Sequence, residues 1–493
     1  MAARVMAAAP QADIAPALAL DPTQSIRVSG VALDSRQLAQ GNAFVALQGA
    51  STHGLDHIES VLAAGVSTVL VDADDPRRSE IDGCTATIHA VPGLRAKLPA
   101  LARAVSGSVD QELALCGVTG TDGKTSTAFF LAQLLHTSDN PCGVMGTVGN
   151  GFVGRLETAS HTTGDVLAVY SGLRALLDQG ATRVAMEVSS HALDQARVGG
   201  LQFAVGALTG LGRDHLDYHG SLEHYRAAKR RLFTEHARRW VLNLDDDMGA
   251  ELFAERSDAV GYSITGQSAA RWCAEIERCD ADGIQCRITV GEDAARSLKL
   301  GVLGRFNVSN VLAACAMAEC VGLSVETVLD RLTRITPVVG RLDVLRFDGA
   351  ARVVIDYAHT EQALESAIAA LREHVSGRLW CVFGCGGDRD RGKRAGMARA
   401  ACDADRVVLT SDNPRSESPE AIARDAQQGL VAGVPADILL DRTAAIEFAL
   451  EHAGPTDCIL IAGKGHETYQ EINAQRIAFS DHAVVRAWHG RRA

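Results

Sequence analysis

The stretch LALCGVTGTDGKTSTAFFLAQLL, residues 113–135, decides the architecture. The apolar run LALCGV reads as a buried strand, Gly120-Thr121-Asp122-Gly123-Lys124-Thr125-Ser126 as a tight turn, and STAFFLAQLL as a helix. Glycines in such a turn let backbone N–H groups point inward around phosphate oxygens, and the following helix aims its positive end at them. Lys124 is placed to neutralise the β/γ-phosphates and the Thr125 hydroxyl to ligate Mg²⁺. The spacing is G-x-x-G-x-x-G-K-T from Gly117, with Val118 where the stricter phosphate-loop pattern has its first glycine. Nucleotide binding is therefore expected, against an ordinary glycine-rich turn.

Outward from this unit the same alternation continues. RVAMEVS, FAVGALT and WVLNL are further strand candidates, followed by the shorter runs GIQCRITV and LKLGVL and a helix from Asn307 to Cys320. Beyond Arg341, the strands RVVID, LWCVFGC, RVVLT and CILIAG alternate with helices near 361–373, 393–403, 419–431 and 443–453. That pattern predicts a parallel sheet covered by helices on both faces. Ser418 is the expected N-cap of the third of these helices, with Pro419 in its first turn. Residues 22–105 mix the β-like runs AFVAL and STVLV with an Ala-rich helix near Ile58–Ala64. The fold class is α/β, and ligands in such sheets gather at the carboxyl ends of the strands.

Composition sets the frame. At ~100–200 residues per domain, a chain of 493 residues holds about three. Lys and Arg total 48 against 60 Asp and Glu, a net charge of -12, and no basic block stands out. A nucleic-acid or membrane-surface protein is thereby disfavoured, and positive charge for anionic ligands has to be gathered locally. The 12 cysteines include no C-x-x-C pair, which speaks against a cysteine metal site or a disulfide scaffold and for a reducing compartment. No apolar run approaches the ~18 residues that span a bilayer. The leader MAARVMAAAPQADIAPALAL is broken by Pro, Gln and Asp and makes a poor signal peptide, so a cytoplasmic location is expected.

Three further groups carry chemistry. Glu187 ends a strand, and Asp214-His215 open RDHLDYHG; a carboxylate and an imidazole at strand ends suit a divalent cation, or else are a cap and a satisfied histidine. Lys229, on the helix HYRAAKRRLF, is by default a solvated surface lysine. Asp412-Asn413-Pro414-Arg415 follows RVVLTS: Arg415 offers a planar fork for a carboxylate and Arg389 in GGDRD a second cation, although DNPR alone is also a plain turn.

Taken in order, GVTGTDGKTST, MEVSSHALDQARV, RDHLDYHGSLEHYRAAK, LGRFNVSN, GRLDV, DYAHT, FGCGGDRDRGKR, SDNPR and AGKGHE resemble the Mur ligase family. The likeness runs from about Val31 to Asp481 and is nearest to the type that adds 2,6-diaminopimelate to UDP-N-acetylmuramoyl-L-alanyl-D-glutamate. It implies three domains: a small α/β uridine-nucleotide domain over 1–108, a central phosphate-loop ATPase α/β domain over 109–338, and a Rossmann-like amino-acid domain over 339–493. By resemblance, Leu33 and Ser35 contact the uridine nucleotide. His161, Thr162, Thr163, Ser189, Gln195 and Arg197 hold the muramoyl dipeptide. Residues 120–126, Asn307, Arg341, Asp356 and His359 bind ATP. Arg389, Asp412, Asn413, Pro414, Arg415, Gly463 and Glu467 bind diaminopimelate. Lys229 matches a carbamylated lysine, so that Thr125, Glu187, His215 and the carbamate hold Mg²⁺. Lys124, Glu187, His215 and Lys229 form the catalytic set of an enzyme expected to be monomeric.

Several positions depart from the family pattern. Asp122 stands for Asn in the phosphate loop, His161 for Asn before Thr162, Gly210 and Gly212 for polar residues, and Glu361 for Pro after DYAHT. They motivate a slower enzyme or a nucleotide-binding scaffold without turnover. A lysine-adding homologue and a folylpolyglutamate synthetase are the enzymatic alternatives, opposed by DNPR and by the Leu33-Asp34-Ser35-Arg36 segment.

Overall fold

The computed structural model describes residues 11–49, 52–159, 161–293 and 295–492. The first ten residues of the leader lie outside the described residues. Two compact units are formed, one by residues up to Lys124 together with Leu135–Val241, the other by Thr125–Leu134 together with the chain from Leu242 onward.

In the first unit a four-stranded parallel sheet runs Gly30–Ala32, Asn42–Ala46, Thr68–Asp72, Thr87–Val91 in spatial order. A larger sheet centres on Ala114–Thr119, flanked in parallel by Arg183–Glu187 and Phe203–Leu208, with Cys142–Gly146 parallel beyond Arg183–Glu187. Register is what matters for function. Glu187 pairs with Val118 and Leu208 with Thr119, so three strands end at one level where the Gly120 loop begins. The helix Lys124–Leu135 starts directly from that loop, as its sequence predicts.

In the second unit Trp272–Asp280, Gly283–Val290 and Arg296–Leu300 form an antiparallel meander beside the helix Arg305–Cys320. The last sheet has the order Asp343–Leu345, Arg352–Asp356, Cys458–Ala462, Leu379–Cys385, Arg406–Ser411, Ala436–Ile438, parallel except for its first strand. Its continuous apolar strands are explained by burial on both faces. Cys381, Phe383, Leu409 and Leu460 pack under Glu361–Arg372, Lys393–Ala401 and Pro419–Gln427. Trp380, Val382, Val408 and Ile459 face Arg442–His452 and Asp481–Gly490. Odd and even residues go to opposite layers, as the two-residue period of a strand requires. Ser418 accepts from the Ala421 N–H and Pro419 occupies the first turn, but this helix stops at Gln427, short of the expected 431. The hairpin Tyr469–Ile472/Gln475–Ala478 was not foreseen.

All 12 cysteines are free thiols. Among the described residues no helix is long and apolar enough to cross a membrane. Leu460 is fully buried in the middle of its strand. Leu460→Ala is expected to destabilise this unit by ~2–5 kcal/mol, read as a lowered unfolding midpoint in urea.

Candidate active site

The loop after Ala114–Thr119 is held from two sides. The Gly120 carbonyl accepts from Lys124 Nζ at 3.0 Å and from Lys229 Nζ at 2.6 Å, and Lys124 also donates to the Thr121 carbonyl at 2.7 Å. On the other flank Thr209 donates its hydroxyl to the Asp122 carbonyl at 2.5 Å, and the Thr121 N–H donates to the Gly210 carbonyl at 2.9 Å. The Gly212 N–H donates to Thr121 Oγ1 at 2.7 Å. A Cβ on Gly120 would stand 1.8 Å from Thr209 Oγ1, so glycine is obligatory there. Gly210 and Gly212 thus serve the loop through backbone groups, which need no polar side chain. Asp122 is exposed, yet its charge is felt by the buried Lys229 and Tyr225. Thr125 and Ser126 are buried in the first helical turn.

Lys229 is not the solvated surface residue that its helix suggests. The amphipathic helix Leu222–Arg231 turns Tyr225, Ala228 and Lys229 inward, leaving Lys229 only 1% exposed, with Nζ 4.4 Å from the centre of the Tyr225 ring. Burial, reinforced by the charge of Lys124, holds its pKa well below that of an ordinary lysine. Burial likewise pushes the Tyr225 phenol up to about 12.

Glu187 is buried at its strand end, as expected. Its carboxylate accepts from the Thr147 N–H at 2.8 Å, and its other oxygen lies 3.2 Å from Thr147 Oγ1. Sequence reasoning missed Thr147. It also missed Gly146, where a Cβ would lie 2.2 Å from Glu187 Oε1; only the absent side chain lets the carboxylate come this close. His215 corrects a second expectation. It is not at the end of Phe203–Leu208 but seven residues on, preceding the turn Leu216–His219 with φ +53°. Its ring is half exposed, 3.3 Å from Asp214 and 4.7 Å, centre to centre, from that of His191. Burial, then the charges of His215 and His219, lower His191 to about 4.

The residues matched to the muramoyl dipeptide come together around Glu187. Thr162 Oγ1 is 3.0 Å from Thr147 Oγ1, and Thr163 donates to the Glu187 carbonyl at 2.9 Å while accepting from the Ser189 N–H at 3.2 Å. Arg197 donates to the Thr163 carbonyl at 2.8 Å and to Gln195 Oε1 at 2.7 and 3.0 Å. His161 is exposed. Leu33 and Ser35 sit half-buried just past Gly30–Ala32, where Asp34 caps the short turn Ser35–Gln37.

In the second unit Asp356 and Ala462 end their strands level with each other, and Cys385 and Ser411 end theirs level with each other two residues further on. The loops that follow carry the residues matched by resemblance to diaminopimelate. Asn413 Nδ2 donates to Glu467 Oε2 at 2.9 Å, and the fully buried Lys464 donates to Asn413 Oδ1 at 3.0 Å and to Glu467 Oε2 at 2.8 Å. Gly463 opens the loop after Cys458–Ala462. Arg415, at φ +53°, donates Nε to Glu471 Oε2 at 3.2 Å and Nη1 to the Gly387 carbonyl at 2.6 Å. Lys464 and Glu471 were missed, although Lys464 stands inside the quoted GKGHE. Arg389 is exposed beside this loop.

Of the remaining nucleotide positions, Arg341 lies 4.6 Å over the Tyr357 ring and its buried Nε makes no hydrogen bond. Asp356 accepts from the Leu342 and Ala358 N–H groups at 2.7 and 2.8 Å; burial raises its pKa, against the pull of Arg341. His359 is exposed. Asn307 is buried and turned inward, donating to the Leu303 carbonyl and accepting from Asn310, so its side chain is engaged in the helix start. Glu361 occupies the first helical position after the N-cap Thr360, a place that suits an acidic residue as well as proline.

Among the described residues no three His, Cys, Asp or Glu side chains converge in a group able to hold a metal. A divalent cation here needs an oxygen from elsewhere. Lys229 fits the demand for carbamylation, because a buried amine of lowered pKa has the neutral form that adds to CO₂.

Comparison with known proteins accounts for this combination. Three models match: the Mur ligase family catalytic domain over residues 27–106, the Mur ligase middle domain over 118–318, and the Mur ligase glutamate ligase domain over 340–465. The UDP-N-acetylmuramoyl-L-alanyl-D-glutamate–2,6-diaminopimelate ligase of Alkalilimnicola ehrlichii is 45% identical over 472 residues, covering 93% of this chain and 94% of that one. The ligase of the same name from Xanthomonas campestris pv. campestris is 44% identical, with 94% of each chain covered. A solved structure of a ligase bearing this name superposes with a TM-score of 0.68 at 35% identity, covering 98% of this chain and 99% of its own. With a phosphate loop at one set of strand ends, three family models along the chain, and relatives of this identity over nearly its whole length, the chain belongs to the Mur ligase family.

Proposed function

We infer that this protein is the ATP-dependent amide ligase that adds meso-2,6-diaminopimelate to UDP-N-acetylmuramoyl-L-alanyl-D-glutamate in cytoplasmic synthesis of the peptidoglycan precursor. The observation that carries the reading is 45% identity to a ligase of that name over 93% of the chain. Within it, the domains run 1–108, 109–338 and 339–493 and take the uridine nucleotide, ATP and the amino acid respectively, in a monomer.

A free carboxylate is a poor electrophile, so the reaction begins by activating it. The D-Glu side-chain carboxylate attacks the γ-phosphorus, the bond to the ADP oxygen breaks, and an acyl phosphate forms. Residues 120–126 cradle the phosphates and Lys124 neutralises the charge that develops there. For this Lys124 exchanges its present carbonyl partners for phosphate oxygens. Thr162, Thr163, Ser189, Gln195 and Arg197 hold the dipeptide so that its carboxylate meets the phosphate. Glu187, His215 and carbamylated Lys229 are the residues to hold Mg²⁺, which supplies positive charge to the phosphoryl oxygens when bound. The amine of diaminopimelate then attacks the acyl carbon, loses a proton, and phosphate leaves with its bond electrons. Arg415 and Arg389 take the second carboxylate that distinguishes this substrate from lysine, with Asp412, Asn413, Gly463 and Glu467 at its other groups.

Phosphate release with ATP and the UDP-muramoyl dipeptide tests the reading: turnover is expected with meso-diaminopimelate and little with L-lysine. No release with either amino acid rules the ligase out, and a preference for lysine rules out the role of DNPR. Arg415→Ala should weaken diaminopimelate by ~2–5 kcal/mol, seen as a raised KM; an unchanged KM removes Arg415 from the pocket. Gly146→Ala, by displacing the Glu187 carboxylate, should lower kcat by ~100-fold with the fold intact by circular dichroism.

A further inference from the structure

Two charged residues outside every role assigned above are sealed in the amino-acid domain. Arg442, the first residue of its helix, and Asp481, the first of the last helix, both have fully buried side chains. Arg442 Nε donates to Asp481 Oδ1 at 2.8 Å and Nη2 to Asp481 Oδ2 at 2.9 Å. The rest of the fork is also used. Nη2 donates to the Ala462 carbonyl at 3.0 Å and Nη1 to the Ser411 carbonyl at 3.2 Å.

Those two carbonyls close strands that are not neighbours: Leu379–Cys385 lies between Cys458–Ala462 and Arg406–Ser411. No ladder hydrogen bond therefore relates the two chain ends directly, and the guanidinium does so instead. The next residues are Asp412 on one side and Gly463 on the other, the first members of the two loops assigned to diaminopimelate. Asp412 Oδ2, buried and without a hydrogen bond, stands 4.0 Å from Arg442 Nη1. For stability alone a buried ion pair is a poor device, since apolar residues of similar volume serve as well or better. Geometry is what this one supplies.

We propose that Arg442 and Asp481 are positioning residues that fix the spacing of the 412–415 and 463–467 loops and thereby the affinity for the incoming amino acid. The inference rests on the ligase function proposed above. Asp481 orients the fork and the fork holds both strand ends; neither residue touches substrate.

The test compares the intact protein with Arg442→Lys, Asp481→Asn and the apolar double variant Arg442→Met/Asp481→Leu. Each is assayed below its own melting transition. The double variant removes both charges together, so it separates loss of positioning from the damage done by one unpaired buried charge. The expected result is a ~10-fold or larger rise in KM for diaminopimelate, with KM for ATP and for the UDP-muramoyl dipeptide unchanged. A folded variant with unchanged diaminopimelate KM, or an equal rise in all three constants, overturns the inference. Absence of diaminopimelate-dependent phosphate release from the unsubstituted protein overturns the function itself, and the inference with it.

Discussion

Parallel strands deliver all their outgoing loops to one edge of a sheet, and the chain exploits this constraint twice. In one unit Val118 and Glu187, with Thr119 and Leu208, end level, so the phosphate loop and the carboxylate of Glu187 arise side by side. In the other, Asp356 ends level with Ala462, and Cys385 with Ser411 two residues further on, so the loops that follow leave from the same edge. Residues far apart in sequence meet because hydrogen-bond register leaves their strands no other place to stop.

A second theme is the use of cations in a chain of net charge -12. Several positive groups lie buried rather than displayed. Lys464, Arg394 and Arg442 are each at most 2% exposed, and each is met by backbone carbonyls, carboxylates or an amide oxygen. Removed from water, such a group interacts more strongly with its neighbours and holds one orientation, provided its donors are satisfied. Screening by salt reaches it weakly.

The legible part of the molecule was the part set by short-range pattern. Apolar runs of four to seven residues, the glycine-rich turn and the Ser418-Pro419 cap have local causes, so strands and helix starts were readable one segment at a time. The burial of Lys229 and the place of His215 in a loop beyond its strand were not. Lys229 looks solvated because its helix carries Arg226, Arg230 and Arg231 beside it; its burial follows from packing against Tyr225 one turn earlier and against the Gly120 carbonyl, which is remote in sequence. Thr147 and Gly146 carry no motif, and their importance is visible only once Glu187 lies against them. The hairpin after GKGHE was hidden because its strands, YQEI and QRIA, mix polar and apolar residues and are exposed or half-buried throughout. Departures such as Gly210 and Gly212 read as losses in sequence, yet act through main-chain groups that need no polar side chain.

That hairpin has a bearing on how amino-acid choice is inherited and exchanged. Arg415 is tied to it three times: its N–H donates to the Glu471 carbonyl, its Nε to the Glu471 carboxylate, and its carbonyl accepts from the Asn473 N–H. The four residues DNPR are therefore not a portable cassette. Grafted into another ligase without Tyr469–Ala478, they would bring the arginine but not the scaffold that aims it. On the function proposed above, the aim of Arg415 is a property of two segments some fifty-odd residues apart, which must change in step.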